Sequence, residues 1–376
     1  MRSILLGVVA LAVLATPVQA STERAEPPAL PAKAWYLVGE DGAVLAQERS
    51  RRSLAIASIT KLMTAIVALE EARPSDLVRV SSQAAAIGGS TVHLRAGEEL
   101  SVGELVRAML IPSANDAATA LALHVGSGST ARFVALMNVK ARELGLLDTT
   151  FVNPHGLDER GHVSSARDAT VLLRYALGAP SIREALSRTS YSLAGRQQFP
   201  TTDDLLASWP PLIGGKTGHT ADAGWSEAAG ASRRGVTVYG TVLGVDTREG
   251  RNDALRTLLE FGLDRYQRVA VIDASRVYGV ADTEYGQARV ELVAPRTLLR
   301  NVREGVPLLE RTVLPTMVAL PVREGERLGR VEVWEDDRLL ASSNLLAASA
   351  VSEPGALGKS TWFAERAAEN LWELVT

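Results

Sequence analysis

Ser58 and Lys61 are the two residues whose types and spacing most directly suggest covalent chemistry. They lie three positions apart and precede an apolar run at 62–69, so on a helix the lysine amine can reach the serine hydroxyl. A serine becomes a nucleophile when a neighbouring base accepts its proton, and a lysine can be that base only when burial or nearby positive charge lowers its pKa. The apolar run supplies the burial, and a helix N-terminus favours negative charge on Ser58. The pattern therefore predicts a nucleophile and its base on the first turn of a buried helix.

Two further polar stretches could complete such a site, Ser113-Ala114-Asn115 and Lys216-Thr217-Gly218. The first lies in a loop between an apolar pattern at 102–110 and a segment of helical character at 115–125, which predicts a helix on either side. The second follows two glycines and precedes an alternating, strand-like pattern at 235–245. The other elements expected around the site are a β-hairpin at 34–38 and 43–46 and a closing helix at 253–261.

The composition excludes several classes of function. The chain has 376 residues, 46% of them hydrophobic, which is enough for one large core and a smaller second one. It has no cysteine, so disulfides and a thiol nucleophile are both excluded. A formal net charge of −3 is too mild to indicate a nucleic-acid partner. The five histidines are scattered without metal-ligand spacing, so we predict no metal and no other cofactor.

The first 20 residues are typical of a secretory signal peptide. Arg2 supplies the positive charge, a short apolar core follows, and Val18-Gln19-Ala20 is a small-residue cleavage site. The apolar run is too short to span a membrane. Residues 21–33 contain three prolines and are predicted to be a flexible leader. We therefore expect an exported, periplasmic protein.

The sequence changes in character after residue 266. Short β-like runs at 267–352 predict a small all-β domain, and 353–376 has the pattern of an amphipathic helix. A terminal helix with aromatic residues is typical of peripheral contact with a membrane, here the inner membrane. Docking of the helix on the protein itself or on a partner is the open alternative.

The motifs in their order resemble one family. They are Ser58-x-x-Lys61, Ser113-x-Asn115, Lys216-Thr217-Gly218-His219-Thr220, the stretch 153–158 (Asn-Pro-His-Gly-Leu-Asp) and the stretch 165–168 (Ser-Ala-Arg-Asp). From about residue 33 to 266 the chain resembles the low-molecular-mass penicillin-binding proteins, serine D-alanyl-D-alanine carboxypeptidases of the peptidase S11 family. The resemblance implies a β-lactamase/transpeptidase-like catalytic domain of the α/β (α+β) class at 34–266, followed by a C-terminal all-β domain.

The resemblance also implies roles for individual residues. Ser58 matches the acylated serine and Lys61 the base that activates it. The Ser113 hydroxyl matches a proton relay, and the Asn115 amide matches the group that holds Lys61 and the substrate backbone. Each of these assignments rests on the matching motif.

The strand motif and a later arginine match the substrate-binding groups. Lys216-Thr217-Gly218 matches the strand that receives the peptide and its terminal carboxylate. The backbone N–H groups of Ser58 and His219 match the family's oxyanion hole, where each donor stabilises the transition state by roughly 3–4 kcal/mol. Arg251 matches an arginine that helps to bind the carboxylate of the leaving D-alanine, for which a planar guanidinium is well suited.

The chain departs from the family pattern at two places. Ile56 stands where the family usually has proline, which affects only the entry to the helix. The stretch 201–206 resembles an Asn-rich family segment, but Asp203 and Asp204 carry carboxylates in place of amides. The second departure bears on substrate preference near Lys216 and leaves the reaction type unchanged.

The expected function is removal of the terminal D-alanine from peptidoglycan stem peptides that end in D-Ala-D-Ala. β-Lactams would acylate the same serine and act as covalent inhibitors. A D,D-endopeptidase that cuts cross-links and a non-catalytic envelope scaffold are the alternatives. A class A β-lactamase is disfavoured, because Glu143, Glu159 and Glu184 are the only glutamates between the second and third motifs and none has that family's Glu-x-x-Leu-Asn context.

Overall fold

A computed structural model describes residues 12–14, 26–193 and 198–373. Two compact units are present: Glu26–Arg265 forms one, and the described residues beyond Arg265, together with strand β1 (Ala12–Leu14), form the other. The predicted signal peptide and the start of the predicted leader lie outside the described residues, apart from β1.

A five-stranded antiparallel sheet is the centre of the Glu26–Arg265 unit. Its order is β3-β2-β10-β9-β8, and two short hairpins, β4–β5 and β6–β7, lie outside it. All six residues of β2 are buried; because alternate side chains point to opposite faces, both faces of the sheet are covered. The strands are β2 (Ala34–Gly39), β3 (Val44–Glu48), β4 (Leu77–Arg79), β5 (Glu99–Ser101), β6 (Ser190–Ser192), β7 (Gln198–Pro200), β8 (Leu212–Thr220), β9 (Gly224–Arg233) and β10 (Val236–Val245).

Helices pack on both sides of this sheet and around one buried helix. The buried helix is α1, in which the eight residues Lys61 to Ala68 are inaccessible to solvent. It contacts α3, α4, α5 and α6. The helices are α1 (Lys61–Glu71), α2 (Ser82–Ala85), α3 (Val102–Leu110), α4 (Asn115–Val125), α5 (Thr130–Glu143), α6 (Ala166–Gly178), α7 (Pro180–Leu186), α8 (Leu205–Ser208) and α9 (Arg248–Leu263).

Side-chain caps fix where several of these helices begin. Ser101 and Glu104 form a capping box at α3, Ser165 caps α6 and Thr247 caps α9. The α9 cap starts that helix at Arg248, five residues earlier than the sequence pattern indicated. Arg251 therefore lies on a helix rather than in the preceding loop.

The second unit consists mainly of β-strands around its own apolar core. Its larger sheet has the order β1-β15-β17-β18-β13-β12-β16, and β11 pairs with β14. Its last element is helix α10 (Ala356–Glu373), on which Leu357 and Phe363 are exposed. Within the described ranges, no helix is both long and apolar enough to cross a membrane. The strands are β11 (Tyr266–Ile272), β12 (Val277–Thr283), β13 (Val290–Val293), β14 (Leu298–Arg303), β15 (Leu308–Val313), β16 (Met317–Val318), β17 (Arg327–Glu335) and β18 (Arg338–Ala347).

Candidate active site

Ser58 lies in a tight turn rather than in an α-helix. The segment Ala57–Thr60 is a 3-10 helix, and α1 begins only at Lys61, whereas the sequence pattern predicted one continuous helix from the serine. The reason is local backbone strain: Ala57 has φ +47°, a left-handed value that side chains other than glycine rarely adopt. Such strain is found where the surrounding structure fixes a functional group in place.

Lys61 is held by three oxygen atoms. Its Nζ donates to Ser58 Oγ at 2.7 Å, to Asn115 Oδ1 at 2.7 Å and to the His155 carbonyl at 2.8 Å. An ammonium group has three donors, so the protonated form is fully satisfied. When the amine is neutral, it has a lone pair, and the bond to Ser58 can reverse so that the hydroxyl donates to Nζ.

The surroundings of Lys61 favour the neutral amine. The side chain is completely buried, and burial lowers its pKa well below the usual value. The positive charge of Lys216 lowers the pKa further, while Asp116 opposes the shift more weakly. All three hydrogen-bond acceptors of the amine are neutral groups, so none of them is a carboxylate that would hold the proton.

Asn115 is the first residue of α4 and is fixed by the segment before it. Its Nδ2 donates to the Gly88 carbonyl at 2.8 Å, and its backbone N–H donates to the Ser90 carbonyl at 2.7 Å. Gly89 has φ +84°, and a Cβ atom there would lie 2.7 Å from Asn115 Nδ2. Ser113 lies in the turn before α4 with φ +65° and is 5% exposed.

Asp116 anchors this loop and was not singled out from the sequence. It is buried and accepts hydrogen bonds from the backbone N–H groups of Val92, Leu94 and Ala117. A buried carboxylate with three such donors is well satisfied. The bonds join the segment before the hairpin strand β5 to the start of α4, and so hold Asn115 in place.

Two glycines from different parts of the chain pack closely against the Ser58 turn. A Cβ atom at Gly218, on strand β8, would lie 2.6 Å from the Ile56 carbonyl oxygen and 3.2 Å from Ser58 N. A Cβ atom at Gly156, which has φ +87°, would lie 1.9 Å from the Ala57 carbonyl oxygen. Both distances are far too short for any other residue, so these positions require glycine. The second requirement explains why the 153–158 motif contains a glycine.

The remaining groups of the strand motif differ in their burial and in their partners. Lys216 is 1% exposed, its Nζ donates to the Thr217 carbonyl at 3.1 Å, and burial lowers its pKa to about 8. The Thr217 hydroxyl bonds to the Thr202 hydroxyl at 2.6 Å. His219 is exposed, and its ring stacks on Trp225 at 3.9 Å between centroids.

Arg251 is buried among protein groups. Its side chain is 1% exposed, with Nε 3.1 Å from Glu227 Oε2 and one terminal nitrogen 3.3 Å from Asp204 Oδ2. The same guanidinium donates to Asn252 Oδ1. Its assignment to the substrate carboxylate stays a prediction, because its nearest carboxylates here belong to the protein.

The two histidines near the site are structural in their contacts. His155 contributes its carbonyl to Lys61, and His162 lies between the Thr60 hydroxyl at 2.7 Å and the Val152 N–H at 3.1 Å. Burial lowers the pKa of His162 to about 4, so its ring is neutral at physiological pH. Within the described residues, no group of three His, Asp or Glu side chains could hold a metal ion.

Comparison with known sequences identifies the relatives of this chain. The model of the D-alanyl-D-alanine carboxypeptidase family matches residues 21–247. D-alanyl-D-alanine carboxypeptidase DacF of Bacillus subtilis (strain 168) is 31% identical over 338 residues, which cover 86% of this chain and 87% of the relative. D-alanyl-D-alanine carboxypeptidase DacC of Escherichia coli (strain K12) is 29% identical over 381 residues, which cover 96% of this chain and 94% of the relative.

Solved structures show the same relationship. Penicillin binding protein 5 from Haemophilus influenzae matches with a TM-score of 0.64 and 27% identity, over 88% of this chain and 100% of that one. The Streptomyces K15 DD-transpeptidase matches with a TM-score of 0.61 and 28% identity, over 64% of this chain and 100% of the transpeptidase chain. These matches confirm the predicted fold class, a transpeptidase-like domain with a C-terminal β domain. The chain belongs to the D-alanyl-D-alanine carboxypeptidase family, peptidase family S11.

Proposed function

We propose that this protein is a serine-type D-Ala-D-Ala carboxypeptidase that removes the terminal D-alanine from peptidoglycan pentapeptides through an acyl-enzyme on Ser58. The observation that carries the proposal is the contact of 2.7 Å between the buried Lys61 amine and the Ser58 hydroxyl, in a chain of this family. The names of the relatives support the same substrate class.

Acylation begins with a proton transfer within this pair. Neutral Lys61 accepts the hydroxyl proton of Ser58, and Oγ attacks the carbonyl carbon between the two D-alanine residues. The backbone N–H groups of Ser58 and His219 stabilise the negative charge that develops on the carbonyl oxygen. The C–N bond then breaks, and the leaving amine receives the proton from Lys61 through the Ser113 hydroxyl.

The terminal carboxylate of the substrate is assigned to the strand motif. Lys216 contributes positive charge and Thr217 a hydroxyl, while Arg251 adds a second positive charge from α9. Asn115 orients the substrate backbone and keeps Lys61 in place. A carboxylate held in this way aligns the scissile carbonyl with Ser58 Oγ, which lowers the entropic part of the barrier.

Deacylation uses the same base. Water gives a proton to Lys61 and attacks the ester carbonyl, and the proton then returns to Ser58 Oγ as the ester bond breaks. β-Lactams acylate Ser58 by opening their ring; because no leaving group departs, we expect their ester to hydrolyse slowly.

Product analysis tests this reaction and separates it from endopeptidase activity. The mature protein is incubated with pentapeptide monomer and with cross-linked dimer, and free D-alanine and cleaved dimer are quantified. We expect D-alanine release that Ser58→Ala abolishes and that the control Ser53→Ala, at an exposed neighbouring serine, retains. Dimer cleavage without D-alanine release would favour the endopeptidase. A Ser58→Ala variant that fully restores a deletion phenotype would favour the scaffold.

The location of the protein forms the second part of the proposal. An exported cell-wall enzyme fits the signal-peptide pattern, and α10 carries exposed Leu357 and Phe363 that would suit a membrane interface. We expect the mature protein to sediment with zwitterionic lipid vesicles and Phe363→Glu to remain in solution. Equal sedimentation of both would assign α10 to a protein contact instead.

A further inference from the structure

One aromatic side chain contacts two residues of the candidate site and has no place in the mechanism above. Trp225 lies on β9 directly opposite His219 of β8. Its ring stacks on the His219 ring, with 3.9 Å between the centroids and an interplanar angle of 26°. The guanidinium carbon of Arg251 lies 5.8 Å from the centroid of the same indole. Trp225 therefore contacts both the residue assigned to the oxyanion hole and the arginine assigned to the terminal carboxylate.

The pleat of the two strands places these contacts beside the other carboxylate-binding groups. Side chains two positions apart on a strand point to the same face, so Trp225 shares a face of β9 with Glu227. In the same way, His219 shares a face of β8 with Thr217, which lies opposite Glu227. Helix α9 packs against β9, and its Arg251 meets Glu227 at 3.1 Å. Arg251 is therefore held by a carboxylate and by an aromatic ring that are neighbours on one strand.

The indole restrains Arg251 through the negative charge density of the ring face. A guanidinium within about 6 Å of a tryptophan centroid is attracted by the quadrupole of the ring, most strongly where water is excluded. The Arg251 side chain is almost completely buried, so water screens its charge poorly. Arg248, one turn earlier on α9, lies 6.0 Å from the same centroid and donates two hydrogen bonds to Asp204. The ring therefore stabilises this turn of α9 in addition to its ion pairs.

The same ring restrains His219, whose side chain is exposed. A stacked aromatic pair is stabilised beyond the area that it buries. Within the described part of the chain, the imidazole makes no hydrogen bond or ion pair, so the stack is what orients it. His219 is the second-last residue of β8, close to the point where strand pairing ends. The stack therefore also restrains the backbone whose N–H is assigned to the oxyanion hole, and such donors are effective only when they are oriented in advance.

We propose that Trp225 is a positioning residue, which holds the oxyanion-hole backbone of His219 and the carboxylate-binding guanidinium of Arg251 at a fixed separation. This inference rests on the proposed function. The scissile carbonyl and the terminal carboxylate of the substrate are separated by a single D-alanine residue, so the two protein groups must be aligned with one small unit. A rigid ring in contact with both groups limits their movement relative to each other.

The test uses two peptide thioesters with the same D-alanyl acyl group. One releases mercaptoacetate, which carries a carboxylate, and the other releases mercaptoacetamide, which does not. The released thiol is measured with a chromogenic reagent, and the protein adds no signal because the chain has no cysteine. The ratio of the two kcat/KM values is the carboxylate preference of the site. Titration with penicillin gives the concentration of active protein, so a loss of folded protein does not affect either value.

Trp225→Leu is expected to change both quantities. The kcat/KM for the mercaptoacetamide thioester should fall about tenfold, because the His219 N–H is less well aligned with the oxyanion. The carboxylate preference should fall by about three- to tenfold, because Arg251 is less well held. Trp225→Phe keeps a ring and should retain both quantities within about threefold. Trp334→Leu is the matched control and should behave as wild type, because Trp334 is also half-buried beside an arginine, Arg311 at 5.3 Å, but belongs to the other unit.

The remaining outcomes separate this inference from the proposed function. A change in only one of the two quantities in Trp225→Leu, or in neither, would overturn the inference, and so would equal losses in Trp225→Phe. Trp225→Met, which fills the space without a ring, provides the same comparison if Trp225→Leu fails to fold. Wild-type protein that hydrolyses both thioesters with a carboxylate preference but releases no D-alanine from pentapeptide would contradict the proposed function alone. Wild-type protein without that preference would contradict both.

Discussion

The two lysines of the candidate site are equally buried but differ in their surroundings. Lys61 is surrounded by neutral acceptors, the Ser58 hydroxyl, the Asn115 amide and the His155 carbonyl. Lys216 lies near the carboxyl groups of Glu227 and Asp203, which raise its pKa against the effect of burial. The pKa of Lys61 is therefore lowered well below its usual value, whereas that of Lys216 falls only to about 8.

This difference separates a base from a cation. A lysine that acts as a general base must be neutral at working pH, whereas a lysine that binds a carboxylate must be positively charged. The protein achieves both with the same side chain at two buried positions. Glu227 and Asp203 raise the pKa of Lys216, whereas Asp116 raises that of Lys61 more weakly than burial and Lys216 lower it. Substitutions of the two lysines, or of residues around them, test whether Lys61 acts as the base and Lys216 as the cation.

The largest expected effect comes from removing the base. Lys61→Met keeps the length and the apolar stem but has no amine, so we expect acylation of Ser58 by penicillin to slow by about a thousandfold. The rate is measured by intact mass after timed quenching. Lys33→Met, at an exposed lysine, is the control and should acylate at the wild-type rate. Normal acylation of Lys61→Met would show that another group is the base.

A large effect is also expected from closing the space behind Ser58. Gly156→Ala places a methyl group 1.9 Å from the Ala57 carbonyl oxygen, so the turn that carries Ser58 must move. We expect the free energy of unfolding to fall by about 2–4 kcal/mol and most of the acylation activity to be lost. Gly161→Ala is a matched control, because Gly161 has the same φ of +87° but a Cβ there would meet nothing nearer than 4.0 Å. Equal loss in both variants, by denaturation and acylation assays, would assign the effect to φ alone.

The pH profile provides a third test. As pH rises through about 8, Lys216 loses its charge, so KM for the peptide carboxylate should rise on the alkaline side. On the acid side, the rate rises as Lys61 loses its proton, and this rise should occur well below the pH at which an ordinary lysine titrates. Lys216→Arg keeps its charge at all these pH values and should move the alkaline limb upward, although the larger side chain reduces the overall rate. An unchanged alkaline limb in this variant would show that Lys216 does not bind the terminal carboxylate of the substrate.

The smallest effect is expected at Asp116. Its charge raises the pKa of Lys61, so Asp116→Asn should move the acid limb of acylation to lower pH; the change should be small, because Asp116 is the weakest of the influences on Lys61. The amide also accepts fewer hydrogen bonds than the carboxylate, so a loss of about 1–3 kcal/mol in the free energy of unfolding should accompany the shift. A limb that moves to higher pH would contradict the electrostatic account.

The sequence predicted those parts of the site that depend on side-chain type and short spacing. Ser58, Lys61 and Asn115 were identified from their motifs. In the structure, Ser58 Oγ and Asn115 Oδ1 each lie 2.7 Å from Lys61 Nζ. The fold class followed from the same motifs and from the β-like pattern after residue 266. These features are local, or are fixed by the order of the motifs.

The parts that the sequence left out depend on distant backbone and on burial. The carbonyl of His155 is an acceptor that no side-chain pattern reveals, and it comes from 94 residues away. Gly156 appeared only as a member of the 153–158 motif, because its contact with Ala57 exists only in the folded chain. Glu227 lies within a buried strand, and its ion pair with Arg251 exists only when α9 packs against β9 in the folded chain.

The most direct test of the account is to locate the penicilloyl group after treatment of the mature protein with penicillin. Peptide mapping by mass spectrometry of wild type and Ser58→Ala would assign it to a single residue. The account predicts one adduct, on Ser58, that is absent from the variant. An adduct on Ser113, or no adduct in wild type, would contradict the assignment of Ser58 as the nucleophile activated by Lys61.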